Sequence, residues 1–306
     1  MAVVAQLTAA AFEAVAKRKA QDQFSESAVV NYLAKKGGVR RMAPGRTWNV
    51  PLSYRANTGA DFLADDFTST GTSKTEVITE ASYTPIMVVV PINISHYDEA
   101  LSSGEQKISL ATSLIENALA SHDALIETGI FASSATDGFE SLPTLITNDG
   151  TGTVGGIVAG TETWFKNQFK DYGDASTLVA DLTTLVNACA KGSGGMTPNV
   201  IATNAADWGV LAGKYVSNQR FESATANVGI RLFKFMDADV IFSPDGVADK
   251  YFAFNTKSLQ LYVARNCYRK LRKATEMEAA AADNQKVESI CQLTTDNRSR
   301  SGVAFT

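Results

Sequence analysis

GVLAGKY, residues 209–215, is the stretch closest in type to a phosphate cradle. That chemistry needs GxxxxGK[ST], in which backbone N–H groups wrap the phosphates, the lysine neutralises them and a hydroxyl holds Mg2+. Here the glycine spacing is wrong, and Tyr215 stands where the hydroxyl belongs. KGSGG at 191–195 does not make the GxSxG turn that exposes a nucleophilic serine. The two histidines, His96 and His122, give poor material for a Ser/His/Asp site. Asp65 and Asp66 are adjacent carboxylates, but they fall in a Gly/Thr-rich stretch read as a loop tip, a poor place to hold a catalytic pair in register. Gly155-Gly156 reads as a turn, since it precedes no clear strand-to-helix junction. Arg265, Arg269, Lys270, Arg272 and Lys273 crowd into nine residues; they read either as a phosphate contact or as a salt-bridge patch between subunits, against the acidic residues that follow. The sequence is therefore read as a non-enzyme with no cofactor and no metal site.

Composition narrows the class further. The 306 residues can bury a sizeable core in one large domain or two. A net charge of −4 argues against nucleic-acid binding along the whole chain. There is no run of eighteen apolar residues, so no membrane span is expected. The start, MAVVAQLTAAAFEAVAKRK, has no charged segment ahead of an apolar core, which argues against a signal peptide. Cys189, Cys267 and Cys291 are too few and too scattered for a disulfide framework, and they read as buried reduced thiols in a cytosolic setting. Charge is segregated: residues 1–46 carry eight basic and three acidic residues, while residues 47–97 carry two basic and five acidic. Neighbouring segments of opposite sign suit either contact between subunits or two solvated faces.

The elements that would position these groups come in a distinct order. A helix is predicted from Gln6 to about Gln21, with a narrow Ala-rich stripe, and a second from Ser25 or Ser27 through Leu33, stopped by Gly37-Gly38. KKGGVRRMAPGR follows as a basic connector. TWNVPLSYR is extended, with Trp48, Val50, Leu52 and Tyr54 in period two. A polar tip anchored only by Phe62, Leu63 and Phe67 leads into TEASYTPIMVVVPINIS, whose Pro85 and Pro91 mark an edge strand or one arm of a hairpin. A long two-stranded arm is marginal in water alone, so it is expected to lie on a neighbour.

From Glu105 to about Phe131, Ile108, Ala111, Ile115, Ala118, Leu119, His122, Leu125, Ile126 and Ile130 recur at helical spacing. His122, on that stripe, reads as a packed histidine. The glycine-rich loop that follows carries Trp164 and Phe165 as anchors. From Ala175 a helix runs through Cys189, TPNVIATN is a buried strand delivering into a helix capped by Asn204, and ADVIFSP, KYFAFNT and SLQLYVAR are strands. Residues 175–260 thus form a compact α+β unit. QKVESICQLTTD alternates as a strand that pairs back with earlier material.

This order resembles the major capsid proteins of tailed bacteriophages with the Hong Kong 97-type fold. The resemblance covers nearly the whole chain. It rests on TWNVPLSYR and TPIMVVVPINIS as two sides of an extended loop, EQKISLATSLIENALASHDALIETGIF as a spine helix, GTVGGIVAGTETWFKN as the loop after it, and TPNVIATNAADWGVL as a strand–Asn–helix passage. It implies an α+β fold with an N-terminal arm at 1–46, an extended loop at 47–97, a peripheral domain at 98–172 plus 261–306, and an axial domain at 173–260.

The implied function is assembly of hexamers and pentamers into an icosahedral head around double-stranded DNA, which is touched only weakly and non-specifically. The chain would be a virion component assembled in the host cytoplasm, and no membrane is involved. Contacts between subunits would fall at Arg40, Arg41, Trp48, Tyr54, Phe62, Asp65, Asp66, Phe67 and Lys74. A separate scaffolding protein is expected, because only 46 residues precede the extended segment, and portal and decoration proteins are further partners. No isopeptide crosslink is expected, because no Asn and Glu match Lys74. An encapsulin-like compartment is the alternative within the fold. An α+β enzyme or ligand-binding protein, or a phage tail component, are the alternatives from other classes.

Overall fold

The computed structural model describes residues 28–56, 60, 76–101, 104–190, 196–216, 233–277 and 281–306. The helix expected over Gln6–Gln21, the KGSGG break and the loop tip with Phe62, Asp65, Asp66, Phe67 and Lys74 lie outside them.

The chain opens with α1 (Ala28–Lys35), β1 (Val39–Met42), β2 (Trp48–Ser53), β3 (Ile78–Tyr83) and β4 (Ile86–Ser95). Next come α2 (His96–Leu101), the long α3 (Gly104–Phe131), α4 (Leu142–Leu145), β5 (Thr153–Val154), β6 (Ile157–Val158) and β7 (Gln168–Asp171). Then follow α5 (Leu178–Cys189), β8 (Val200–Thr203), α6 (Ala205–Val216), β9 (Phe233–Phe235), β10 (Ala238–Phe242) and β11 (Lys250–Phe254). The chain closes with β12 (Leu259–Ala264), β13 (Lys270–Leu271), β14 (Thr275–Glu276), β15 (Ala282–Thr295) and β16 (Gly302–Phe305). The architecture is α+β.

β15, 14 residues long, is the axis of the first sheet. Along one edge it pairs antiparallel with β4, from Ala282↔Ser95 to Cys291↔Ile86. It also pairs with β12, β13 and β14. The alternation in QKVESICQLTTD therefore marks a strand that returns to earlier material, as expected. β4 has no second partner strand among the described residues, so Pro91 sits on an edge, where a missing N–H costs no ladder bond.

TWNVPLSYR forms a hairpin with the start of the returning stretch, TEASY, but not with the apolar run that follows it: β2 pairs with β3, from Trp48↔Tyr83 to Ser53↔Ile78. Pro85 lies between β3 and β4; it removes a donor and constrains Thr84, and there the chain leaves the hairpin for the main sheet. The basic segment KKGGVRRMAPGR is also more than a connector. Its Val39–Met42 forms β1, parallel to β12 at the sheet's end.

α3 spans 28 residues, about 42 Å at 1.5 Å per residue. Ala111, Ile115, Ala118 and Leu119 pack on Ile92 and Ile94 of β4 and Val287 of β15. Ile126, Ile130 and Phe131 continue into the principal core. Leu125, expected on this stripe, is exposed, since it lies about 100° round the helix from Ile126.

The second sheet runs β7-β16-β11-β8-β10-β9. All four residues of β8 are buried, because the sheet is covered on both faces. Leu178, Leu182, Leu185 and Val186 of α5 pack with Ile201, Val240 and Tyr251 on one side. Val200, Ala202, Phe252 and Phe254 join the principal core on the other. This sheet draws in β7 and the C-terminal β16, whereas β12 belongs to the first sheet. Asn204 caps α6 as expected, its Oδ1 accepting the N–H of Asp207 at 2.7 Å. No helix among the described residues is long and apolar enough to cross a membrane.

Candidate assembly surface

The β2–β3 hairpin is the described root of the segment expected to form the extended loop. Alternation along β2 buries Trp48, Val50 and Leu52, and along β3 it buries Ala81 and Tyr83. The surface they meet belongs to the same chain. The Trp48 indole N–H donates to the carbonyl of Ala43 at 3.1 Å, and its ring lies 6.3 Å from that of Tyr262. The Tyr83 hydroxyl donates to the carbonyl of Thr295 at 3.0 Å, and burial holds this phenol well above its usual range. Tyr54 packs against Trp164, centroids 5.0 Å apart, and the backbone N–H of Ser82 donates to the carbonyl of Gly155 at 2.9 Å.

Gly155 and Gly156 have φ of +57° and +82°. They form the two-residue turn between β5 and β6, in the left-handed conformation that glycine adopts without cost. The turn expected there is present, and its purpose is contact: a Cβ on Gly155 would lie 2.7 Å from the Ala81 Cβ. Phe165 is fully buried and Trp164 partly so, as anchors of this loop.

Of the nine residues expected at contacts between subunits, four are described. Trp48 is buried within its own chain, so it does not await a neighbour, while the half-buried Tyr54 keeps an open side beside its packing on Trp164. Arg40 and Arg41 are exposed on β1, the Arg40 guanidinium 5.7 Å from the Tyr262 ring centroid. The nine expected residues left out the outward face of β4, where Met87 and Val89 are 48% and 38% exposed beside an edge with no further partner strand among the described residues. The signal was present: MVVV has apolar residues at both parities, so one face was bound to look outward. Ile78, Tyr97 and Leu101 add further exposed apolar surface.

The basic cluster at 265–273 divides. Arg269 forms a salt bridge at 2.6 Å with the buried Asp123, whose Oδ1 is also 3.1 Å from Nδ1 of the fully buried His122. Arg272 pairs with Glu288. These two partners lie outside the acidic stretch just after the cluster. Arg265, Lys270 and Lys273 remain exposed. His122 is packed, as expected.

A fully buried cation was not foreseen. Arg298 is fully buried, its Nε donating to the carbonyl of Leu145 at 2.6 Å and its Nη2 to Thr147 Oγ1 at 2.9 Å and the Thr151 carbonyl at 2.7 Å. Burial pulls its pKa down to about 10. An arginine in a polar tail reads as exposed, and nothing local marks this one as a pin for the loop after α3. Among the described residues, no group of three or more His, Cys, Asp or Glu side chains is placed to hold a metal. The three cysteines are buried and form no disulfide, and burial pushes the Cys291 thiol up to about 12.

No family model matches this chain, and no curated protein matches it by sequence. Solved structures do match its fold. A chain from the capsid asymmetric unit of cyanophage A-1(L) superposes with a TM-score of 0.68 at 16% identity, covering 92% of each chain. A chain from the capsid of a native GTA particle gives 0.57 at 12% identity over 89% of each. The holo-SrpI encapsulin complex from Synechococcus elongatus PCC 7942 gives 0.52 at 10% identity, over 90% of this chain and 86% of that one. At these identities the likeness is one of fold.

Proposed function

We propose that this chain, which carries the Hong Kong 97-type fold, is the major capsid protein of a tailed bacteriophage. It assembles as hexamers and pentamers into a head that encloses double-stranded DNA. The observation that carries this reading is the superposition on a cyanophage capsid chain across 92% of both molecules. Its work is assembly rather than catalysis, and its place is the virion.

Within that shell the arm is assigned to residues 1–46 and the extended loop to 47–97, rooted at β2–β3. The peripheral domain is built on α3 and the first sheet, and the axial domain on the second sheet. Arg40 and Arg41 remain available for contact between subunits, as does the outward face of β4. Phe62, Asp65, Asp66, Phe67 and Lys74 are assigned to the loop's contacts on sequence grounds. A separate scaffolding protein, a portal and decoration proteins are the expected companions.

Electron microscopy of the expressed protein, with and without such companions, tests the reading. Closed shells of uniform size support it; a small discrete oligomer under all conditions refutes it. The likeness to an encapsulin complex keeps a cargo compartment as the second reading. Nuclease-protected DNA in purified particles favours the phage head, and protein cargo without protected DNA favours the compartment.

A further inference from the structure

The basic run at 265–273 is extended in the fold by a strand that the sequence places far from it. β1 lies parallel to β12 with Arg41 opposite Val263, and the Arg265 N–H donates to the Met42 carbonyl at 2.9 Å. Past Arg265 the chain turns and rejoins β15 as β13, with Lys270 opposite Glu288. The Arg272 N–H then donates to the Lys286 carbonyl at 2.8 Å. β12 and β13 thus follow one edge of β15, and β4 takes the other. Through Val263, Arg41 stands level with Cys291, and Arg272 stands level with Lys286. The row between them is about 17 Å long at some 3.3 Å per residue.

The turn within this row is held in place. Arg269 has φ of +49°, its N–H donates to Ser289 Oγ at 2.7 Å, and its guanidinium is tied to the buried Asp123. Burial raises the Tyr268 phenol, and Arg269 and Arg41 both act against that rise, so β1 and the turn meet at this side chain.

Charge along the row does not balance. Arg41, Arg265, Lys270, Arg272 and Lys273 are exposed. Glu288 bonds Arg272 and lies opposite Lys270, so it offsets one of the five. Arg41, Arg265, Lys270 and Lys273 form no salt bridge among the described residues. Arg40 is separate: it lies against Tyr262 and acts on Asp296, and it is left to contacts between subunits. A positive strip on a chain of net charge −4 suits a polyanion. One strand of duplex DNA offers a phosphate about every 3.4 Å along such a strip. A second copy offers no matching one, since no more than two acidic residues are adjacent anywhere in the sequence.

We propose that the row Arg41, Arg265, Lys270, Arg272 and Lys273 binds the phosphate backbone of double-stranded DNA without regard to base sequence. Its place as the contact between shell and packaged DNA rests on the capsid reading; the binding itself does not.

Fluorescence anisotropy of a short labelled duplex, titrated with the purified full chain over a salt series, tests this. Binding should weaken steeply with salt and be equal for unrelated duplexes. Arg41→Gln with Arg265→Gln should weaken it about tenfold and lower the slope of log affinity against log salt by about two. Arg41→Lys with Arg265→Lys should restore most of the loss. Lys234→Gln with Lys257→Gln removes the same charge from exposed positions elsewhere and should change affinity less than about twofold. An equal loss in both glutamine pairs overturns the proposal, as does a parent chain that binds no duplex at low salt.

A synthetic peptide of residues 57–75, which carries Asp61, Asp65 and Asp66, is the second probe. If the peptide binds and Arg41→Gln with Arg265→Gln abolishes that binding while duplex affinity stays unchanged, the row joins copies of the chain and the proposal fails. Normal closed shells from a chain that binds no duplex refute this inference alone and leave the shell reading standing.

Discussion

The carbonyl of Gly155 accepts the backbone N–H of Ser82 at 2.9 Å, so the glycine turn after the spine helix grips the root of the β2–β3 hairpin in the same chain. Trp48 against Tyr262 and Tyr83 on Thr295 hold the same root from other sides.

Gly155→Ala should therefore destabilise more than Gly156→Ala. Both substitutions pay for a positive φ, about 1 kcal/mol. Only the first also drives a Cβ to within 2.7 Å of Ala81, which raises its total to about 3 kcal/mol. Urea midpoints of the two variants check the order. Limited proteolysis should show earlier cleavage near the hairpin in Gly155→Ala alone.

Arg298→Leu should cost about 2–4 kcal/mol, because the carbonyls of Leu145 and Thr151 lose their donor in a buried site. Arg298→Lys should fall between, since an ammonium cannot fork to all three acceptors. Denaturant unfolding of both variants gives the comparison. A leucine variant as stable as the parent contradicts the pinning role.

Glu127 gives a pH dependence of defined sign. Its carboxyl is raised above the ordinary 4.5, chiefly by burial, against the opposing pull of the Val29 and Val30 N–H bonds. Between 4.5 and the raised value the folded chain binds more protons than the unfolded one. The stabilisation linked to this proton is fully present below pH 4.5 and is lost as pH rises through the folded value. The thermal midpoint of the parent, relative to that of Glu127→Gln, should fall as pH is raised across that window. A flat or rising difference contradicts it.

Val89→Lys should separate folding from assembly. Val89 is 38% exposed and lies across the ladder from Glu288, which also pairs with Arg272, so a lysine there keeps its stem on the sheet and shares that carboxylate. Stability should stay within about 0.5 kcal/mol of the parent. The yield of closed particles by electron microscopy should drop sharply if the outward face of β4 is covered in the shell. Undiminished yield removes that face from the assembly surface.

What the sequence determined by itself is what acts over a few turns of chain. The spine helix, expected over 105–131 and found at Gly104–Phe131, follows from a repeating apolar stripe. Gly37-Gly38 ends α1, Asn204 starts α6 and Gly155-Gly156 turns β5 into β6, because caps and turns depend on side chains within a few residues.

What only the tertiary structure decided is which distant segments meet. Period two told which face of TWNVPLSYR is apolar, but not that its partner is Ile78–Tyr83 rather than the more apolar run beyond Pro85. That run found β15 instead; Asn93 and Asn284 touch across 191 residues of chain. Glu127 under α1, Asp123 under Arg269 and the carbonyl cage of Arg298 were hidden for the same reason. A strand's alternation fixes its faces and leaves its neighbour open, and a buried charge is recognised only by the partner that a long-range closure brings to it.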